Sequence, residues 1–344
     1  MKKDSIGVKE DFNILRHHID GFENKEEDIR EIFALSFEFF KMSEAHKTIY
    51  KRDINASYVK RLISLYYKDI KPDYSTMIYL FKKKYIYNES LVEKNDSKEE
   101  RKGLGLVYDY IQNFNPATDY FNIMITAMNI HILLYKFLDD ERNKEIENNY
   151  LKIKKELEIA KKNKDVRAYR ELKKKLMDCS QTFDKFGGRL RDGDVTLLDT
   201  DVKVPSAEEA KIYFNSFLSK EKMIEYQNVL SSTDIFGYVE YCVKTIVDLI
   251  RYQMFNDGNK RTFRSLLNLM FKNKNLPPVY ITTGERKQYK DALFKAMELN
   301  DYKDIINFYY YKICDSIYEL DIKPYMEKFN NKDNNNLVRK KDAK

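Results

Sequence analysis

With 344 residues the chain is long enough to bury a substantial core, and 43% hydrophobic against 34% charged residues places it among globular proteins. A net charge of +7, with 62 basic residues interspersed among 55 acidic ones, describes solvated helix faces and does not imply nucleic-acid binding. No apolar run reaches the roughly 18 residues that span a bilayer, and the opening "MKKDSIGVKEDF" lacks the apolar core of a signal peptide, so no membrane contact and a cytoplasmic location are expected. Ten Gly and six Pro leave few breaks in the chain, which predicts long helices and a mainly α fold. Cys179, Cys242 and Cys314 lie far apart in no metal-binding spacing, so they are expected to be reduced core thiols.

In chain order, residues 1–79 read as an N-terminal helical region, with apolar residues three and four apart in "EEDIREIFALSFEFFKMSE" and "SYVKRLISLYYKDI". The main domain is expected over 80–329. Within it, 140–177 is strongly charged, yet Ile146, Tyr150, Ile153, Leu157 and Ala160 alternate steps of four and three, and Tyr169, Leu172 and Leu176 resume the pattern after "KNKD". A projecting helical hairpin is expected there, and an ordinary surface helix pair is its plainer meaning. The segment "GGRLRDGDVTLLDTDVKVP" breaks the helical pattern: Asp192-Gly193 is a turn signal and "VTLL" has β propensity, which predicts a β-hairpin over about 193–204. Pro205, Ser206 and Glu209 mark the next helix start. Residues 330–344 are rich in Asn, Lys and Asp without an apolar period and read as a disordered tail.

The chemistry concentrates where the helix "YVEYCVKTIVDLIRY" runs into "QMFNDGNKR" and a second helix, "TFRSLLNLMFKN", leaves it. Gly258 permits a backbone shape that other residues resist, and backbone amides at a helix N-terminus bind phosphate through N–H groups and the helix dipole. Arg261 and Arg264 add charge-assisted contacts one turn apart. Asp257 is the odd charge among these cations, and beside a polyphosphate its simplest role is to hold Mg²⁺. A loop capped by Asp and Asn, with surface arginines, is the alternative meaning of the tripeptide "DGN" alone.

The stretch "QMFNDGNKRTFR" resembles the signature of the Fic (Fido) family, H-x-F-x-D/E-G-N-G/K-R-x-x-R, at every position except the first. "GGRLRDGDVTLL" resembles the segment leading into that family's target-binding flap, "VPSAEEAKIYFNSFL" the helix after it, and "LPPVYITTGERKQYKDALFKAM" its post-motif region. The resemblance covers roughly 80–318, with 140–177 as an insertion. It implies a mainly α, Fic-like helical domain with a short β-hairpin flap, N-terminal helices and an inserted helical hairpin. The implied activity is transfer of AMP from ATP to a Ser, Thr or Tyr hydroxyl of a protein target docked on the 193–204 flap, with Mg²⁺. Relatives transfer other phosphate-containing groups. Position by position, the resemblance assigns Asp257 to the metal, and Gly258, Asn259 and Lys260 to the α-phosphate. Arg261 and Arg264 go to the β- and γ-phosphates. Lys260 is similar to the Doc-type branch, whose members act as kinases, whereas Arg264 favours the AMP-transferring orientation.

Gln253 stands where the family keeps the histidine that takes the proton from the attacking hydroxyl. A glutamine amide can orient a hydroxyl but cannot accept its proton, and losing a general base costs a factor of about 10² to 10⁴. The substitution is open to two explanations, a silenced transferase or a branch that has moved to another reaction or to nucleotide binding alone. His17, His18 and His46 are distant in sequence, and His131 in "AMNIHILLYKFL" resembles a structural histidine of the family with a core role. Glu93, in "NESLVEKN", matches in part the family's inhibitory motif Ser/Thr-x-x-x-Glu-Gly/Asn; Glu89 and Lys94 occupy the flanking motif positions. The resemblance implies that Glu93 pairs with Arg264 and blocks the γ-phosphate site, and a solvated helix glutamate is the alternative.

Overall fold

The computed structural model describes residues 25–49, 56–70, 78–93, 97–163, 165–180, 187–197, 200 and 202–328. The expected N-terminal stretch before residue 25 and the tail from 330 onward lie outside these residues, as do His17 and His18. Among the described residues the chain is helical: α1 (Lys25–Ile49), α2 (Ala56–Asp69), α3 (Ile78–Val92), α4 (Lys98–Asn113), α5 (Ile123–Lys162), α6 (Val166–Ser180), α7 (Ala207–Ser216), α8 (Lys220–Ser231), α9 (Ile235–Tyr252), α10 (Asn259–Asn273), α11 (Arg286–Leu299) and α12 (Lys303–Ile317). α12 runs on into a π-helical turn, Tyr318–Ile322.

The centre is α10. Every residue from Arg261 to Phe271 is buried, so the helix has no solvent face along that run and is a core element. Its polar side chains are satisfied inside the core: Asn268 bridges both backbone groups of Val279 at 2.9 and 2.8 Å, and the Ser265 hydroxyl pairs with Arg261 O and with the Tyr85 hydroxyl at 2.8 and 2.6 Å. α9 packs along α10 with Cys242, Val243, Ile246, Val247 and Ile250 inward, and Asp234 caps its start through the amides of Phe236 and Gly237, both at 3.0 Å. The N-terminal helices share this core. Phe37 of α1 lies 6.1 Å from Tyr311 and 5.7 Å from Tyr318, and Arg30 pairs with Asp321 at 2.9 Å.

The 40-residue helix α5 has two halves of different character. Met124, Ala127, Ile130, His131, Leu134 and Tyr135 are buried in the main core, whereas the second half projects and α6 packs against it. Ile153 and Ala160 from the seven-residue pattern are buried, while Leu151 and Ile159 remain exposed.

The β-hairpin expected over 193–204 is a misreading. Among the described residues there is no strand in that segment, and the one β-bridge nearby pairs Leu190 with Phe255. The backbone is held instead by a buried side chain. Arg191 Nε donates to Gln253 O and Nη1 to Gly193 O, both at 2.7 Å, and Nη2 donates to Pro205 O. Asp194 accepts from the amide of Ala207, ahead of the capping box formed by Ser206 and Glu209. These contacts fix Gly193, Asp194 and Pro205 without a ladder, and an isolated two-stranded ribbon has little stability of its own. The β propensity of "VTLL" is not expressed as a strand in its described residues, 195–197.

A close approach of α4 to α5 predicts a measurable cost. A Cβ on Gly103 of α4 would lie 2.0 Å from the backbone oxygen of Leu134 in α5. Gly103→Ala is therefore expected to destabilise the protein by about 1–3 kcal/mol through forced separation of α4 and α5, read as a lower urea midpoint with an unchanged slope.

Candidate active site

The loop between α9 and α10 is built by its own side chains. α9 ends at Gln253, which adopts a left-handed conformation (φ 46°), and α10 begins at Gly258 with φ 74°. Gly258 is required twice over, because a Cβ there would also meet the Tyr135 ring at 2.7 Å. Asn259 closes the loop: its Oδ1 accepts from Phe255 N at 2.9 Å, and its Nδ2 donates to Phe255 O at 2.7 Å and to Gln253 Oε1 at 3.1 Å. Gln253 Nε2 donates to Ile250 O, so both ends of this amide are engaged within the loop.

His131 supports the loop from below. Gly188 N donates to its Nδ1 at 2.8 Å, which leaves the Nε2 hydrogen to donate to Asp257 O at 3.0 Å. The ring stacks on Phe255 at 3.9 Å and is 1% exposed. Burial pushes its pKa down to about 4, so the neutral tautomer that fits this pair of contacts is held.

Above the loop opens a cavity of about 430 Å³, lined by Glu93, Thr196, Leu197, the loop residues Gln253 and Asn256 to Arg261, and by Arg286, Tyr289 and Lys290 of α11. The first-turn amides of α10 have no intrahelical partner by helix geometry, and Gly258 supplies no side-chain cap. They meet the cavity at the positive end of the helix dipole. Asp257 is the exposed carboxylate of the loop, 60% accessible, with Arg261 at 3.6 Å.

The two motif arginines are buried and paired. Arg261 is 2.8 Å from Glu100 of α4 and donates to the Tyr135 hydroxyl at 3.2 Å. Arg264 lies 2.7 Å from Glu89 and 2.6 Å from Glu93, so the Glu93 contact drawn from the resemblance is present, with a second carboxylate beside it. The pair is divided electrostatically. Burial raises the pKa of Glu89 despite Arg264, whereas for Glu93 the attraction of Arg264 and Lys260 outweighs burial and lowers it. Lys260 stands 3.9 Å from Glu93.

Gln253, Asp257, Gly258, Asn259, Lys260, Arg261 and Glu93 therefore meet at one cavity, and Arg264 lies behind its wall. Sequence reasoning missed Glu89, Glu100, Tyr135, Arg191, Arg286 and Lys290. Glu89 had a signal, since it precedes Glu93 by four residues and so shares its helix face. Arg191 had none.

The Fic/DOC family model matches residues 165–271, which span the charged helix α6, the loop and most of α10. Among solved structures, Fic-1 of C. elegans is similar with 14% identity over 88% of this chain and 80% of that one, at a TM-score of 0.48. A Fic domain containing signaling protein from Bacteroides thetaiotaomicron is similar with 17% identity over 77% of this chain and 97% of that one, at a TM-score of 0.44. No curated protein matches the sequence. Among the described residues, no helix is long and apolar enough to cross a membrane, and no group of three or more His, Cys, Asp or Glu side chains is placed to hold a metal by itself.

Removing one carboxylate from a buried guanidinium should be costly. Glu89→Leu is expected to lower stability by about 3–5 kcal/mol, because Arg264 stays buried with half of its charge compensation. The double variant Glu89→Leu/Arg264→Met should recover most of that loss. Urea unfolding checks both, and a single variant as stable as the parent would show that the pair carries no such load.

Proposed function

We propose that this protein is a Fic-type nucleotidyltransferase, directing AMP from ATP to a protein hydroxyl, in a form weakened by Gln253. The observation that carries the reading is the uncapped N-terminus of α10 opening on the cavity beside an exposed Asp257. A phosphate bound there meets backbone amides whose partners the helix cannot supply. Mg²⁺ is commonly held by one or two carboxylates together with phosphate oxygens, and Asp257 fits that donor set; the ion would neutralise charge on the leaving pyrophosphate.

In the reaction the acceptor hydroxyl oxygen attacks the α-phosphorus, the bond to the β-phosphate oxygen breaks, and pyrophosphate leaves. Thr196 and Leu197 at the cavity rim are where the target would approach. The hydroxyl proton has to leave as well. Gln253 has no acceptor of suitable basicity, and its amide is already committed to Ile250 and Asn259, so it neither takes the proton nor turns freely toward a hydroxyl. Glu93 holds the site in a restrained state by occupying Arg264 and drawing on Lys260. The committed Gln253 amide favours a second reading, nucleotide binding with a regulatory outcome and no transfer.

Two measurements decide between these readings. Mg²⁺–ATP is expected to bind the present chain, more tightly in Glu93→Gly, because phosphate contacts do not need a base. Calorimetry without heat in both forms would remove the nucleotide from the account. Gln253→His in the Glu93→Gly background is expected to raise transfer by about 10² or more. Intact-mass spectrometry with ATP, Mg²⁺ and cell lysate reads the added AMP. Mass gained only by the histidine form marks a weakened transferase, and no mass in either form favours binding alone.

A further inference from the structure

The projecting hairpin of α5 and α6 is sided in charge. Its seam is made by Ile153, Leu157 and Ala160 of α5 with Tyr169, Leu172 and Leu176 of α6, all buried or half-buried. A residue that follows a seam position lies about 100° further round its helix. Because the two helices run antiparallel, that rotation carries such residues to one and the same face of the hairpin, and residues that precede seam positions to the opposite face. The charged residues that follow are Lys154, Glu158, Lys161, Arg170 and Lys173, all exposed, four cations to one carboxylate. Those that precede are Lys152, Glu156, Glu171 and Lys175, two of each sign. On this balanced face Glu171 has Arg167 at 3.6 Å, whereas among the described residues none of the four cations on the other face is ion-paired.

What such a face fits is decided by what it lacks. Protein interfaces are depleted of Lys at their core and anchored by apolar or aromatic side chains, and no apolar centre lies between these cations. Nor does an aromatic ring stand among them on which a single-stranded base could stack. A membrane-lying helix sets an apolar face against its basic one, and here the opposite face is charge-balanced. The complement is a polyanion that carries its charges outside at close, regular spacing, as a duplex does. Lys154 and Lys161 are about 10 Å apart along α5, and α6 packs roughly 8–10 Å from it. A duplex presents one charge per about 1.7 Å of its axis, so all four side chains can meet phosphates at once. Three of the four are lysines, compact point charges that contact a backbone without reading bases.

We propose that the hairpin face bearing Lys154, Lys161, Arg170 and Lys173 docks on the phosphate backbone of a nucleic-acid duplex, without reading its sequence. The net charge of the whole chain carries no such implication; its placement does. None of these residues lines the cavity at the start of α10, so the docking stands or falls independently of the nucleotide reading.

The test is fluorescence anisotropy of the full chain with labelled, mixed-sequence DNA and RNA duplexes at about 50 and about 200 mM salt. Four phosphate contacts give a slope of log K against log salt of about −3 to −4, a weakening of about 10² over that range. Lys154→Gln/Lys161→Gln is expected to bind about tenfold or more weakly at the lower salt and to reduce the slope by about 2. Lys152→Gln/Lys175→Gln removes the same charge from the opposite face and is expected to change affinity by less than about twofold. Gln keeps the helix propensity of Lys, so both variants retain the hairpin. Tighter binding of either the DNA or the RNA duplex supports the docking and names its source. No binding of either duplex at the lower salt overturns it, and so does equal weakening in both variants, which would reduce the binding to net charge. Tighter binding of single-stranded DNA, of phosphatidylserine–phosphatidylcholine vesicles or of polyglutamate, lost in Lys154→Gln/Lys161→Gln alone, would also overturn it by assigning the face to another partner.

Discussion

Two guanidinium groups buried in the first turns of α10 constrain everything around them. Arg261 and Arg264 are each 3% exposed, and neither charge could remain there without a carboxylate in contact. The partners come from different helices, Glu100 from α4 and Glu89 from α3, with Glu93 following at the end of α3. Meeting the charge requirement of α10 therefore sets where α3 and α4 must dock. The same contacts bring Glu93 to the cavity and within 3.9 Å of Lys260. Fold and candidate site share one set of ion pairs.

Around that set the loop is rigid for local reasons. The Asn259 amide spans Phe255 and Gln253, His131 joins Gly188 to Asp257, and Arg191 gathers carbonyls from Gln253, Gly193 and Pro205. Each is a buried polar side chain that satisfies backbone groups which would otherwise be stranded away from water. The result fixes the N-terminus of α10 at the cavity, and such preorganisation is what electrostatic stabilisation of a bound charge needs. Gln253 belongs to this supporting network as well as to the cavity wall. A residue engaged at both ends of its amide stabilises the loop more readily than it serves a reacting hydroxyl.

The charge distribution over the site follows from burial. Arg261 and Arg264 are buried against carboxylates, with Arg261 still reaching the cavity, while Lys260, Arg286 and Lys290 are half-buried and border it. Half-buried charges interact with a ligand at a lower desolvation cost than fully buried ones, because they have not given up all their water.

The sequence by itself determined the helical character of the chain, the helix–loop–helix around Gly258, and the gathering of Asp257, Gly258, Asn259, Lys260 and Arg261. Those features are local: scarce Gly and Pro, a 3.6-residue apolar period, and a glycine where the backbone must turn left-handed, each readable within a few residues. The Glu93 contact with Arg264 was legible only through the family pattern, since 171 residues separate the two. Glu89 and Glu100 as the partners of buried arginines, and Arg191 as the anchor of the 187–206 segment, were decided by the tertiary structure alone. So was the absence of a strand among the described residues of 193–204, where side-chain bonds from Arg191 and Asp194 hold the ends of the segment. The physical reason is the same in each case. Whether a charge is buried, and which distant group compensates it, depends on how helices far apart in sequence are packed, and no local pattern encodes that.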